Sequence, residues 1–303
     1  MNSGRVIACV LGIVPIALAA GQTPAGTTNA DTQPASSVEQ RGSQPIYRVT
    51  VVSRTTKAIN YGHRTEPTKI DFKGTVLMPN ADGEATVQSR RGAMEIDAKF
   101  NRLEAPTKFG SQYLTYVLWA ISPEGRPERL GEVVPNGSEK AHLKTSTGLQ
   151  SFALIVTAEP YFAVAKPSDA VVMENAVRSD TVGKVEEVQV KYELMPRRPF
   201  VYDKSREPLP SAGPKVSMDE YEAILALYQA QNAIEIARSE GADKYATDTF
   251  QRAQDLYQQA QTYRSQKAAS KQIVATAREA AQAAEDARMI ASKRQESSQQ
   301  LAR

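Results

Sequence analysis

Cysteine occurs once in this chain, at Cys9, and histidine twice, at His63 and His142. If the segment around Cys9 is removed, no thiol is left, which excludes both a disulfide framework and a thiolate metal site. Neither histidine belongs to a His-Glu-x-x-His pattern, so each reads as a surface or loop residue rather than a ligand. Charge of one sign is also scarce: 37 basic against 34 acidic residues leave a net +3. Such a balance supplies no field for a polyanion, and nucleic acid is not expected as a partner. Glycine-rich phosphate loops, dinucleotide fingerprints and Gly-x-Ser-x-Gly elbows are absent, and neither an enzymatic reaction nor a cofactor is expected.

Long hydrophobic runs are reduced to one, Val6 to Ala20, broken by Pro15 and followed by Gly21. A membrane span needs roughly 20 apolar residues. A short apolar core behind Arg5, ending in Ala17, Ala19 and Ala20, is the pattern of a cleaved signal peptide over 1–20. The expected location is therefore periplasmic or secreted, with no transmembrane span after cleavage. Residues 21–44 are rich in Thr, Ala, Gln, Ser and Gly and carry too little apolar surface to offset chain entropy, so they read as a disordered spacer.

From 45 to 195 short apolar stretches alternate with turn residues, and no helical period is sustained. Candidate strands are Ile46–Val52, Ile70–Met78, Glu84–Ser89, Ala93–Arg102, Tyr113–Ile121, Arg129–Val134, Lys140–Thr145, Phe152–Ala158 and Val185–Leu194. The Tyr113–Ile121 stretch organises them. Tyr113, Thr115, Val117, Trp119 and Ile121 share one face and Leu114, Tyr116, Leu118 and Ala120 the other, so both faces are apolar and a central strand covered on two sides is expected. Pro123-Glu124-Gly125 then turns the chain back. The glutamates of Val185–Leu194 mark an outer strand. Two polar connections, Lys57 to Pro67 and Glu159 to Asp180, read as long loops, the second carrying Tyr161 and Phe162.

Residues 196–217 hold Pro196, Pro199, Pro208, Pro210 and Pro214 and read as a linker. Beyond it proline disappears and glycine occurs once, at Gly241. Ser217 with Glu220 forms a capping box for a first helix. Gly241 ends that helix, Asp243 or Thr247 caps a second, and a softer break falls near Ser265 to Ser270. Alanines recur in rows: Ala223, Ala226, Ala230, Ala233 and Ala237; Ala246, Ala253 and Ala260 with Leu256 and Tyr263; Ala277, Ala280, Ala284, Ala287 and Ala291 after Ile273. Rows at this spacing are seams, and alanine lets helix axes approach closely.

The expected fold is α+β with segregated domains. An all-β sandwich, Ig-like or an open barrel, is followed over 218–296 by an Ala-rich antiparallel helical hairpin or three-helix bundle, then a polar tail at 297–303. Tyr221, Leu225, Tyr228 and Ile236 lie opposite the first alanine row, on a second apolar face that one seam cannot bury. With Tyr161 and Phe162 they are the candidate interaction residues. The carboxylate pairs Glu186-Glu187 and Glu285-Asp286 read as solvated.

Gly83…Ala85, Gly92…Ile96…Leu103, Tyr113-Leu114…Leu118-Trp119…Gly125…Leu130-Gly131 and Phe152-Ala153-Leu154…Glu159-Pro160 resemble the extracytoplasmic β-domain of anti-sigma-K factors. The chain lacks that family's His/Cys zinc domain, so sigma-factor regulation is not implied. Ala230…Ala233-Ile234…Ala237-Arg238…Gly241-Ala242…Tyr245-Ala246 and Ala277…Ala280-Ala281…Ala291 resemble an Ala-rich envelope family of unknown function whose members often occur beside OmpA-like domains. Thr247 stands where that family commonly has proline. Together the likenesses imply a non-enzymatic envelope protein whose partners are another envelope protein or cell-wall material, with self-association through the helices possible in principle. A glycan- or small-ligand-binding β-sandwich is the alternative, favoured if Tyr61, Tyr161 or Phe162 forms an exposed aromatic platform. Mass spectrometry of the exported protein is expected to show a chain lacking the segment that ends near Ala19 or Ala20.

Overall fold

Apolar alternation along the first half of the chain is converted into antiparallel pairing. The computed structural model describes residues 51–62, 66–181, 184–193 and 216–301. Its strands are β1 (Val51–Asn60), β2 (Thr68–Gly74), β3 (Asp82–Arg90), β4 (Ala93–Asn101), β5 (Thr115–Ile121), β6 (Pro127–Val133), β7 (Ala141–Thr147), β8 (Ser151–Glu159), β9 (Val171–Ala176) and β10 (Lys184–Glu193). The signal and spacer segments, the start of the first candidate strand, His63 and residues 196–215 lie outside the described residues.

One sheet runs β10-β1-β8-β9-β2-β3-β4-β7, with β6 and β5 attached along the other edge of β8. β8 is the hub. It pairs with β5 along its length, with β1 at its start (Ile59 opposite Phe152) and with β9 beyond (Val156 opposite Met173). The sheet almost closes into a barrel where the Thr145 hydroxyl of β7 donates to Leu130 O of β6 at 2.7 Å, so the open-barrel form of the expected β-domain is the one adopted. The β3–β4 hairpin turns on Arg91 and Gly92, both with positive φ, and the β5–β6 hairpin on Gly125, as its turn chemistry predicted. β10 stands at one end of the strand order, the position its alternation indicated.

Two readings of the loops are corrected. The polar connection Lys57 to Pro67 is strand as far as Asn60, because Ala58 and Ile59 are buried on opposite sides of the sheet. Within Glu159 to Asp180 lies β9, whose Val171, Val172 and Met173 form a short apolar run behind Pro167. The second candidate strand also stops early: Gly74, not Met78, ends β2, where a Cβ would fall 1.9 Å from Met78 O.

Every residue of β5 is buried. Tyr116, Leu118 and Ala120 point into the barrel with Phe72, Phe100, Phe152 and Leu154, whereas Val117, Trp119 and Ile121 point outward. Tyr113 and Leu114 precede the strand and lie on the sides opposite to those expected, Tyr113 with the barrel core and Leu114 with Tyr221 and Leu225. The outer cover of β5 is made by the helices, and 46–303 forms one unit.

These helices are α1 (Met218–Ser239), the single turn α2 (Ala242–Tyr245), α3 (Thr247–Ser265) and α4 (Ser270–Leu301). Ser217 Oγ accepts from Glu220 N, capping α1 as expected. Gly241 takes φ +79° at the corner after α1. No side chain caps α3; the Thr247 hydroxyl donates back to Asp243 O, and α2 bends into α3 at Ala246. The break at 266–269 separates α3 from α4, which gives three long helices rather than a hairpin. The segment read as a polar tail continues α4 to Leu301. Ala230, Ala233, Ala237, Ala253, Ala260, Ala277, Ala280, Ala284, Ala287 and Ala291 have no exposed surface, so all three rows are seams. α1 and α4 lie against the barrel, and α3 packs on α4 from outside.

Close approach of α1 and α4 depends on the absence of side-chain bulk. Ala280→Leu is expected to lower stability by about 1–3 kcal/mol through overpacking, measured as a shift in the denaturation midpoint, while Ala275→Leu on the exposed side of α4 is expected to leave it unchanged.

Candidate functional site

The loop between β8 and β9 is tied at its neck and inserted at its tip. Ser168 Oγ donates to Ala158 O at 2.7 Å, and Ala158 N donates to Ala170 O at 2.9 Å. The residues between are too apolar to remain on a barrel rim. Tyr161, Ala163 and Val164 are buried in one cluster with Trp119 and the alanines of α1 and α4.

Polar groups accompany that burial, and those at the tip find partners across the junction. Tyr161 Oη donates to Glu285 Oε2 at 2.6 Å, and Ala165 N to Glu285 Oε1 at 2.8 Å. Arg288 holds the same carboxylate with two bonds of 2.7 Å and reaches Glu240 Oε2 at 3.1 Å. From α1, Gln229 Oε1 accepts from Phe162 N at 2.8 Å while its amide donates to Glu132 Oε1 at 2.6 Å. Asn232 Nδ2 donates to Gln112 O and Pro160 O. Glu132 on β6 also accepts from Thr115 Oγ1 and pairs with Arg278. A paired and hydrogen-bonded buried charge avoids the desolvation cost that an isolated one incurs.

The electrostatics follow from the enclosure. Burial raises the Tyr161 phenol well above its ordinary range, and the adjacent Glu285 charge adds to the rise. Burial by itself would lower Arg288; its hydrogen bonds to Glu285 and the neighbouring charges outweigh that and keep it protonated. Desolvation lowers Arg129, which donates to Phe162 O at 3.2 Å. Burial pushes Glu159, at the end of β8, up to about 8.

Tyr221 and Leu225 pack with Leu114 of the barrel, and Ile236 joins the large junction core. Tyr228 is half-buried in a groove of about 540 Å³ between α1 and α3, with Leu227, Gln231, Tyr257, Gln261 and Arg264. The second face of α1 is thus mostly spent on its own barrel. Tyr161 is 0% exposed and Tyr61 2%, so neither contributes to an exposed aromatic platform. Phe162 lies under the Arg278 guanidinium, 3.8 Å from the ring centroid, with Arg129 at 5.9 Å. His142 sits on the outer face of β7, 2.7 Å from Asp97 Oδ1, as a surface histidine. Among the described residues no group of three His, Cys, Asp or Glu side chains is placed to hold a metal ion.

Glu285 overturns the solvated reading of Glu285-Asp286. It is 1% exposed, whereas Asp286 is exposed and bonded to Gln282. The sequence carried a signal for this. Glu285 and Arg288 are spaced i,i+3 and flanked by the seam residues Ala284 and Ala287, and Gln229 and Asn232 sit inside the apolar stretch of α1. Nothing local predicted Glu132 or Glu159, whose partners come from distant elements.

Compared with known protein families, characterised proteins and solved structures, the chain matches none. The junction is therefore understood from its own geometry, which is that of a structural clamp between helices and barrel. Glu285→Ala would leave Arg288 with Glu240 alone and the Tyr161 hydroxyl and Ala165 amide without their acceptor, and is expected to cost about 3–5 kcal/mol. Tyr161→Phe, which removes one donor from a carboxylate that keeps three others, is expected to cost about 1.5–3 kcal/mol. Chemical denaturation of both variants checks the order.

Proposed function

We propose that this protein is a non-enzymatic scaffold of the cell envelope, periplasmic or secreted, which presents a helical module on a β-barrel base to an envelope partner or to cell-wall material. The signal-like N-terminus and the likeness of both halves to extracytoplasmic and envelope families support the location. One observation carries the scaffold reading: α1 and α4 are clamped to the barrel by Gln229, Asn232, Arg278 and Glu285. Clamping turns two modules into a single rigid body, and rigid presentation is what lowers the entropic cost of docking a partner.

The α1–α3 groove leaves two aromatic side chains of the helical module partly open. Tyr228 and Tyr257 border it with a rim of Gln231, Gln261 and Arg264, a mixture of aromatic anchors and polar rim that suits protein contact. A second copy of the chain is one form such a partner takes.

Photo-crosslinking groups placed at Tyr228 and Tyr257 of the full chain are expected to capture a defined envelope partner or a second copy, and a group at Lys99 on the outer face of β4 is expected to capture neither. Tyr228→Ala is expected to weaken that capture by about tenfold or more. Equal adducts from all three positions, or none from the groove, would remove the groove from the proposal.

A further inference from the structure

Glu159 lies at the neck of the β8–β9 loop, and its two carboxyl oxygens are unequally served. Oε1 accepts from the Thr157 hydroxyl and, at 2.7 Å, from Ser168 N. Oε2 has no hydrogen-bond partner, although the residue is 0% exposed. Thr157 Oγ1 accepts in turn from Trp119 Nε1 at 2.8 Å. One row of hydrogen bonds therefore joins β5, β8 and the neck of the loop. Bonds from the loop to the helices hang beyond that neck: Pro160 O to Asn232, Phe162 N to Gln229, Tyr161 and Ala165 to Glu285.

A buried carboxylate with one unserved oxygen is tolerated as the neutral acid and penalised as the anion. We propose that Glu159 is a protonation latch: as the neutral acid it holds the loop neck closed and the helices docked, and on ionisation the neck opens and the loop releases α1 and α4 from the barrel. Its position gives the leverage. Glu159 faces the helix side of the sheet, where its neighbours Thr157 and Trp119 lie, while the barrel interior is packed by Phe152, Leu154, Val156 and Ala158 on the other face of β8.

The surrounding charges favour this assignment. Burial is the main cause of the raised value of about 8, and the Asp169 charge on the same loop raises it further, whereas the Thr157 and Ser168 hydrogen bonds lower it. On β5 the groups at hand are Thr115 and Trp119, both neutral. Glu132 of β6 is engaged by Thr115, Gln229 and Arg278. α1 offers the neutral Gln229 and Asn232, and on α4 Glu285 and Arg288 neutralise one another. The folded state thus binds a proton that the unfolded chain, with an ordinary carboxyl near 4.5, gives up earlier. The contribution to docking is complete below about pH 4.5 and is lost as pH rises through about 8.

The test is residue-resolved hydrogen exchange on the full chain from about pH 6 to about pH 10, with Trp119 fluorescence and far-ultraviolet circular dichroism alongside. Protection factors of the Phe162 and Ala165 amides are expected to fall about tenfold per pH unit up to the closed-state midpoint near 8 and to level off above it, while secondary structure is retained. Glu159→Gln is expected to keep both amides protected across the range, and Asp169→Asn to move the midpoint to lower pH. Protection in the wild type that does not change, or that falls equally in Glu159→Gln, overturns the latch. Should the glutamine variant fail to fold, an unmoved midpoint in Asp169→Asn overturns it independently.

Discussion

Two neighbouring strands, β5 and β8, are apolar on both faces, and a single-layered barrel can bury only one of them. Val117, Trp119, Ile121, Ala153 and Ile155 all lie on the outside of the barrel wall. Left in water, these side chains would form a large contiguous apolar patch. The helical module removes it, and most other features of the molecule are consequences of that requirement. Alanine seams keep α1 and α4 close enough to cover the patch together, and the long loop after β8 fills the gap between helices and wall.

Covering the patch creates a second problem, because the edge of the contact includes the ends of strands and a loop with unpaired backbone groups. Gln229 and Asn232 supply neutral partners for that backbone, and Glu285 supplies a charged one at Ala165. The charge then needs Arg288, and Arg288 reaches Glu240 at the end of α1. A chain of electrostatic obligations therefore runs from the barrel loop through α4 to the corner of the helical bundle. It fixes register as much as it stabilises: sliding α4 by one turn would part Glu285 from Tyr161 and Ala165 and Arg288 from Glu240.

Periodic features were legible in the sequence. Strand alternation, the Gly125 and Arg91-Gly92 turns, the Ser217 cap and the alanine rows are encoded within a few residues, and they survive in the structure. What escaped was encoded by position in space. β9 reads as a loop because only six residues, framed by Pro167 and polar turns, carry its pattern. Tyr161 looks like an exposed loop aromatic until β8 and α4 are brought together. Glu285 looks solvated because its acidic neighbour Asp286 is solvated. The junction is built from groups that take their meaning from distant partners, from 48 positions apart for Arg288 and Glu240 to 124 for Tyr161 and Glu285.

That separation also orders events in time. Synthesis delivers β1 to β10 before any residue of α1, and the residues that complete the clamp, Glu285 and Arg288, arrive only with α4. Until then the outer wall of β5 and β8 is a bare apolar surface on an otherwise finished barrel. Non-local closure of this kind is slow and leaves sticky intermediates. The growing chain is most vulnerable to aggregation in the interval between the closing of its barrel and the arrival of α4.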